Sequence, residues 1–105
     1  MAFFKRVDLQ LQEGLPVKYS ELAPHERRVV RHAYIMLQDS RCYYCKAPLL
    51  DVPADYVRQK SVNKALFPEG FFDHPVHLHH DHTTDMTIGA VHAWCNAVLW
   101  EYDGE

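Results

Sequence analysis

The spacing of apolar positions changes period along the chain. Val7, Leu9 and Leu11 alternate with Asp8, Gln10 and Gln12, the period of a half-buried strand. Glu13-Gly14 can turn it, and Leu15 to Tyr19 reads as a returning strand that Pro16 would confine to an edge. From Pro24 the period becomes helical. Val30, Tyr34 and Leu37, flanked by Val29, Ala33 and Met36, form one stripe. Pro24 suits a first helical position and Glu26 the positive end of the dipole, so a helix is expected over 24–38. Ala54 to Leu66 carries a weaker helical period, which Pro68-Glu69-Gly70 breaks before Phe71-Phe72 returns to the core. Val76 to Asp81 then alternates again, with Val76, Leu78 and His80 on one side and His77, His79 and Asp81 on the other. A polar turn over 83–86, a returning strand over 87–91 and a short helix from Cys95 or Asn96, burying Val98, Leu99 and Tyr102, complete the pattern.

This order predicts a single α+β domain: an N-terminal arm (1–22), a helix, an insertion (49–75) and a strand–turn–strand–helix core (76–103). At 105 residues and 48% hydrophobic the chain is globular, but its core is small enough that a metal staple would help. No stretch approaches the roughly 20 apolar residues of a membrane span. Phe3-Phe4 precedes Lys5-Arg6, the reverse of a secretory signal, so the default expectation is a cytoplasmic protein with no membrane partner. The net charge of −3 hides an asymmetry. Residues 1–46 hold eight Lys/Arg against five Asp/Glu, and the remainder three against nine, which permits a basic face beside a cation-attracting pocket.

Three cysteines cannot all pair within one chain, so metal ligation is the better account of Cys42-Tyr43-Tyr44-Cys45. His92-Ala93-Trp94-Cys95 is a second pair at the same spacing. Together the two pairs make a Cys3His set, a closed tetrahedral Zn2+ site of the structural kind, although His74, His77 or His79 could stand in for His92. A second constellation is harder in character. Asp81 and Asn96 offer oxygen ligands that suit Mg2+ or Mn2+ and leave room for water and a phosphate oxygen. His82 beside them has the pKa range of a general base that removes a proton from water.

The run Leu78-His79-His80-Asp81-His82, then Gly89-Ala90-Val91-His92 and Cys95-Asn96 with Leu99, and Cys42/Cys45 upstream, resembles the HNH endonucleases. Among them it is most similar to the zinc-binding phage recombination endonuclease VII group. The resemblance implies a ββα-metal (His-Me finger) core that hydrolyses DNA phosphodiesters and leaves 5′-phosphate and 3′-hydroxyl ends. It implies that Asp81 and Asn96 hold the catalytic ion, that His82 activates water, and that Cys42, Cys45, His92 and Cys95 bind zinc. In an alternative register, as in members with adjacent histidines, His79 and His80 are the working pair. Arg27, Arg28, Arg31, Lys60, Lys64 and His80 are candidate DNA contacts; on phosphate alone they carry no sequence information, so a nick of weak sequence preference is expected. A double-strand cut would need a homodimer or successive events. The rival from another class is a zinc-stabilised nucleic-acid-binding or assembly module without catalysis, which the acidic balance favours.

Overall fold

The computed structural model describes residues 14–104. Among the described residues it is a small α+β structure with a two-stranded sheet and three α-helices. Helix α1 runs Pro24–Leu37, α2 is the single turn Asp55–Arg58, strands β1 (Val76–His80) and β2 (Thr87–His92) form the sheet, and α3 runs Ala93–Asp103. The expected strand over Val7–Leu11 lies outside the described residues.

Helix α1 begins where Pro24 needs no N–H partner and Glu26 reaches back to accept from the Ala23 N–H at 2.9 Å. Its buried stripe is narrower than the periodicity suggested: Val30, Ala33 and Tyr34 are buried, whereas Val29, Met36 and Leu37 are exposed. The helix ends in two consecutive left-handed residues, Asp39 and Ser40, at φ 57° and 61°. The insertion forms less helix than expected, only α2 and a 3-10 turn over Lys64–Leu66. Residues 15–19 form no regular strand. Lys18 makes a single antiparallel bridge to Met86, and Val17 exchanges hydrogen bonds with Thr87 (N–H to Oγ1 3.0 Å; Thr87 N–H to O 2.9 Å), so the arm lies against the start of β2.

Strands β1 and β2 are antiparallel, pairing Val76 with His92, His77 with Val91, Leu78 with Ala90 and His79 with Gly89. The register then slips, and His80 pairs with Thr87. A bulge of this kind re-aims side chains beside it, here the His79/His80 pair. Helix α3 follows β2 without a loop and packs on both strands, giving a continuous strand–strand–helix unit. It starts at Ala93, earlier than expected, and ends at Gly104, whose φ of 77° suits a residue without Cβ. Val98 and Leu99 are buried as expected; Tyr102 is not, because it lies on the outer face and donates its hydroxyl to the Ser61 carbonyl at 2.7 Å. The core joins Val30, Tyr34, Leu49, Val57, Leu78, Val91 and Val98 to the three cysteines.

Candidate functional site

Cys42 and Cys45 sit in the turn after α1, where Lys46 adopts φ 69° so that the Lys46 N–H reaches the Cys42 carbonyl at 3.0 Å. His92 ends β2 and Cys95 lies in the first turn of α3. The four residues are buried, and one ligand atom from each lies within 4.8 Å of all the others. Zinc–sulfur bonds of about 2.3 Å put tetrahedral sulfurs about 3.8 Å apart, so the set needs only slight contraction to close on an ion. The His92 Nδ1 stands 3.5 Å from Cys45 Sγ and 3.6 Å from Cys95 Sγ. Its other nitrogen, Nε2, is 2.9 Å from the Pro48 carbonyl, which can only accept. The proton therefore sits on Nε2 and the Nδ1 lone pair faces the sulfurs, the tautomer that metal ligation requires. Cys42 is pulled down to about 4, chiefly by a hydrogen bond from the Cys95 thiol and also by backbone N–H groups; the same bond pushes Cys95 up. These four residues could hold a zinc ion, and His92, rather than His74, His77 or His79, is the imidazole that joins the cysteines.

The second constellation assembles differently from the expectation. Asn96, one residue after Cys95 on α3, lies over the side of β1 that carries His77 and His79. Its Oδ1 is 3.1 Å from His79 Nδ1 and its Nδ2 3.1 Å from His77 Nδ1. The amide nitrogen can only donate and the oxygen only accept, so these two contacts fix the orientation of the carboxamide. Asp81, expected to share a cation with Asn96, is not joined to it by any contact among the described residues. Asp81 falls one residue past β1, where the hairpin has begun to turn. Its carboxylate accepts from the Thr83 N–H at 2.7 Å and the Thr84 N–H at 3.1 Å, and these backbone donors, Thr84 first, hold its pKa down. The physical reason is length: two residues beyond His79 is about 6.6 Å farther along an extended chain. Of the adjacent histidines, His79 is the one that meets Asn96.

His79 is 2% exposed. His80 stacks on the Tyr19 ring, centroids 3.8 Å apart and nearly parallel, with the His82 ring 4.8 Å away. Burial lowers the pKa of His77 and of His80, and for His80 the neighbouring imidazoles His82 and His79 add to the effect. These imidazoles are therefore kept neutral near pH 7.

Beside them opens a cleft of ≈ 670 Å³. Asn96, His77, His80 and His82 line it together with Arg27 and Arg31 from α1. Of the expected DNA contacts, Arg27, Arg31 and His80 therefore reach this cleft. Arg28 does not line it, Lys60 lies over the Tyr102 ring at 5.0 Å, and Lys64 lies over the Phe72 ring at 5.6 Å. Arg27 lies over the Tyr19 ring at 4.3 Å, and its Nε is buried with no hydrogen-bond partner among the described residues. The opposing wall comes from the insertion, through Phe67 and Phe71, and from Trp100. Phe71 meets the His77 ring edge-on at 4.5 Å. The sequence places the return of the insertion to the core at Phe71-Phe72, and Phe71 of that pair lines the cleft.

No helix among the described residues is long and apolar enough to cross a membrane. Comparison of the chain with protein-family models, with curated proteins and with solved structures finds no match.

Proposed function

We propose that the protein is a metal-dependent DNA endonuclease of the HNH type, its strand–strand–helix unit a ββα-metal core held from behind by zinc. The observation that supports this most is Asn96, one residue after Cys95, lining a cleft that also holds Arg27, Arg31 and His80, with its Oδ1 3.1 Å from Nδ1 of the buried His79. A divalent ion supplies a Lewis acid that offsets charge on the phosphate as its bond to the leaving oxygen breaks. Asn96 Oδ1 would help to hold it, with His79 Nδ1 as a second ligand once it releases the proton it now donates to Asn96, and His77 would orient Asn96 by accepting its N–H. His80 accepts the proton of the attacking water, the water oxygen bonds to phosphorus, and the 3′-oxygen leaves with a proton from solvent. The arginines hold the flanking phosphate by paired, charge-assisted hydrogen bonds.

The net charge of −3 favours the rival, a binding module without chemistry. Nicking of supercoiled plasmid in Mg2+ or Mn2+ separates the two readings. The zinc-loaded wild type should relax plasmid, Asn96→Ala and His80→Ala should lose the activity, and His82→Ala should keep most of it. Zinc-replete, folded wild type that nicks in neither metal supports the binding module. Activity surviving in His80→Ala but lost in His82→Ala restores the Asp81–His82 register.

A further inference from the structure

The cleft has two unlike walls, and their chemistry specifies more than a phosphodiester. One side of its lining, from α1 and β1, carries Arg27 and Arg31 with the His77 and His80 rings. The other is aromatic. Phe67 packs on Phe71 (4.8 Å), on Phe72 (5.8 Å) and edge-on against Trp100 (5.4 Å), which fixes its ring, while Trp100 remains 41% exposed at the end of the cluster. The ion pair seen among the described residues is Arg58 with Asp55, which leaves Arg27 and Arg31 without a described carboxylate partner. Arginines and a braced π-surface lining one cleft of ≈ 670 Å³ match one extended nucleotide, phosphate to the arginines and base to the rings.

We infer that this cleft takes an unpaired nucleotide, so that the substrate is single-stranded DNA or a locally unpaired stretch rather than intact duplex. This inference rests on the nuclease reading of the same cleft. Charge argues in the same direction. Duplex binders commonly neutralise about 6–10 phosphates, which needs a broad basic face. Here two arginines line the cleft while the chain as a whole carries −3, so a long duplex would meet net repulsion outside a short contact. A base held inside a duplex also hides the face that the aromatic wall would stack on.

The test is fluorescence anisotropy with a labelled oligothymidylate strand, free or annealed to its complement, against zinc-loaded Asn96→Ala protein, which removes cleavage from the measurement. The single strand should bind at least about tenfold tighter than the duplex. Its affinity should fall with salt at a logarithmic slope of about −0.7, the value for one phosphate on a single strand. Trp100→Ala should weaken single-strand binding by about 5- to 100-fold. Phe67→Ala is a second variant, with far-UV circular dichroism and zinc content showing that each variant folds. Duplex binding equal to or tighter than single-strand binding, or undiminished binding by folded Trp100→Ala, overturns the inference. Those outcomes alongside persistent plasmid nicking leave the nuclease reading intact; single-strand binding without any cleavage by wild type removes that reading and leaves the cleft as a binding site.

Discussion

Gln38 shows how single residues set the geometry of the site. Its carboxamide donates to the Arg41 carbonyl at 2.7 Å and the Ala90 carbonyl at 2.8 Å, and accepts from the Ala90 N–H at 2.8 Å. It thus pairs with β2 as a short extra strand and clamps the cysteine turn to the hairpin, which the Tyr43 N–H to Ala90 carbonyl bond at 2.9 Å reinforces. Gly89 makes room for this: a Cβ there would lie 2.7 Å from Gln38 Oε1 and 3.0 Å from Tyr43 Cβ. Gln38→Ala should cost about 1–3 kcal/mol, since it leaves part-buried backbone groups unpaired. Gly89→Ala should also destabilise, and the two together should cost less than their sum, because removing Gln38 relieves one of the two contacts. Chemical denaturation of the four proteins in the cycle checks this, and strict additivity would show that the contacts act independently. His92 carries the other prediction at this scale. His92→Cys keeps four ligands and should retain one zinc per chain, whereas Cys95→Ser should lose it. Structural zinc sites bind with about 10–16 kcal/mol and domains are stable by about 5–15 kcal/mol, so Cys95→Ser should unfold. Metal analysis with circular dichroism reads both outcomes. The ligand set was legible from two spaced pairs in the sequence. His92 was part of that set; what the spacing did not show is the Pro48 carbonyl that orients its ring.

At the scale of elements, the arm is held to the hairpin turn through Asp85, a left-handed residue at φ 66°. Its carboxylate accepts from the Ser20 hydroxyl and from the Ser20 N–H, and its carbonyl accepts from the Tyr19 N–H at 2.8 Å. The Ser20 hydroxyl is the main reason its pKa lies below the ordinary 3.8. A depressed carboxylate favours the folded arrangement above the unfolded value, and that contribution disappears as pH falls through the folded one. Arm docking should therefore hold above about pH 4 and loosen below it. Asp85→Asn, which still tolerates left-handed backbone, should loosen the arm already at neutral pH and flatten the acid dependence. Hydrogen exchange at the Tyr19 and Ser20 amides measures it; a wild-type-like acid transition in Asp85→Asn would contradict the assignment. Because Tyr19 stacks on His80, the same variant should also raise the mobility of that imidazole. Helix α1 and both strands of the hairpin were legible from period and turn residues, since each has one face on the core. The arm was not, because a single bridge at Lys18 and a 3-10 turn leave no periodicity. The insertion misled for the same reason: Phe67, Phe71 and Phe72 cluster with one another and with the tryptophans, which is a tertiary fact.

At the scale of the whole molecule, a two-stranded sheet is too small to be stable alone. Its stability comes from α1 and α3 packing on it and from the cysteine turn tied to its far end. Chelation of zinc should therefore disorder the cleft as well as the cysteine turn, because Asn96 is the residue after the ligand Cys95. Loss of near-UV circular dichroism from the tryptophans on zinc removal checks this coupling, and an unchanged aromatic signal would show that the two sites are independent. Which residue accompanies Asn96 also belongs to this scale. Asp81 and His79 differ by one step of the same strand face, and only the position of α3 over β1 decides which of them Asn96 meets. The most direct test is a crystal grown with zinc and soaked in Mn2+, with anomalous scattering used to locate both ions. The account predicts zinc among Cys42, Cys45, His92 and Cys95, and manganese bound by His79 Nδ1 and Asn96 Oδ1 at the cleft. Manganese on Asp81 instead, or none within reach of Asn96, would contradict it.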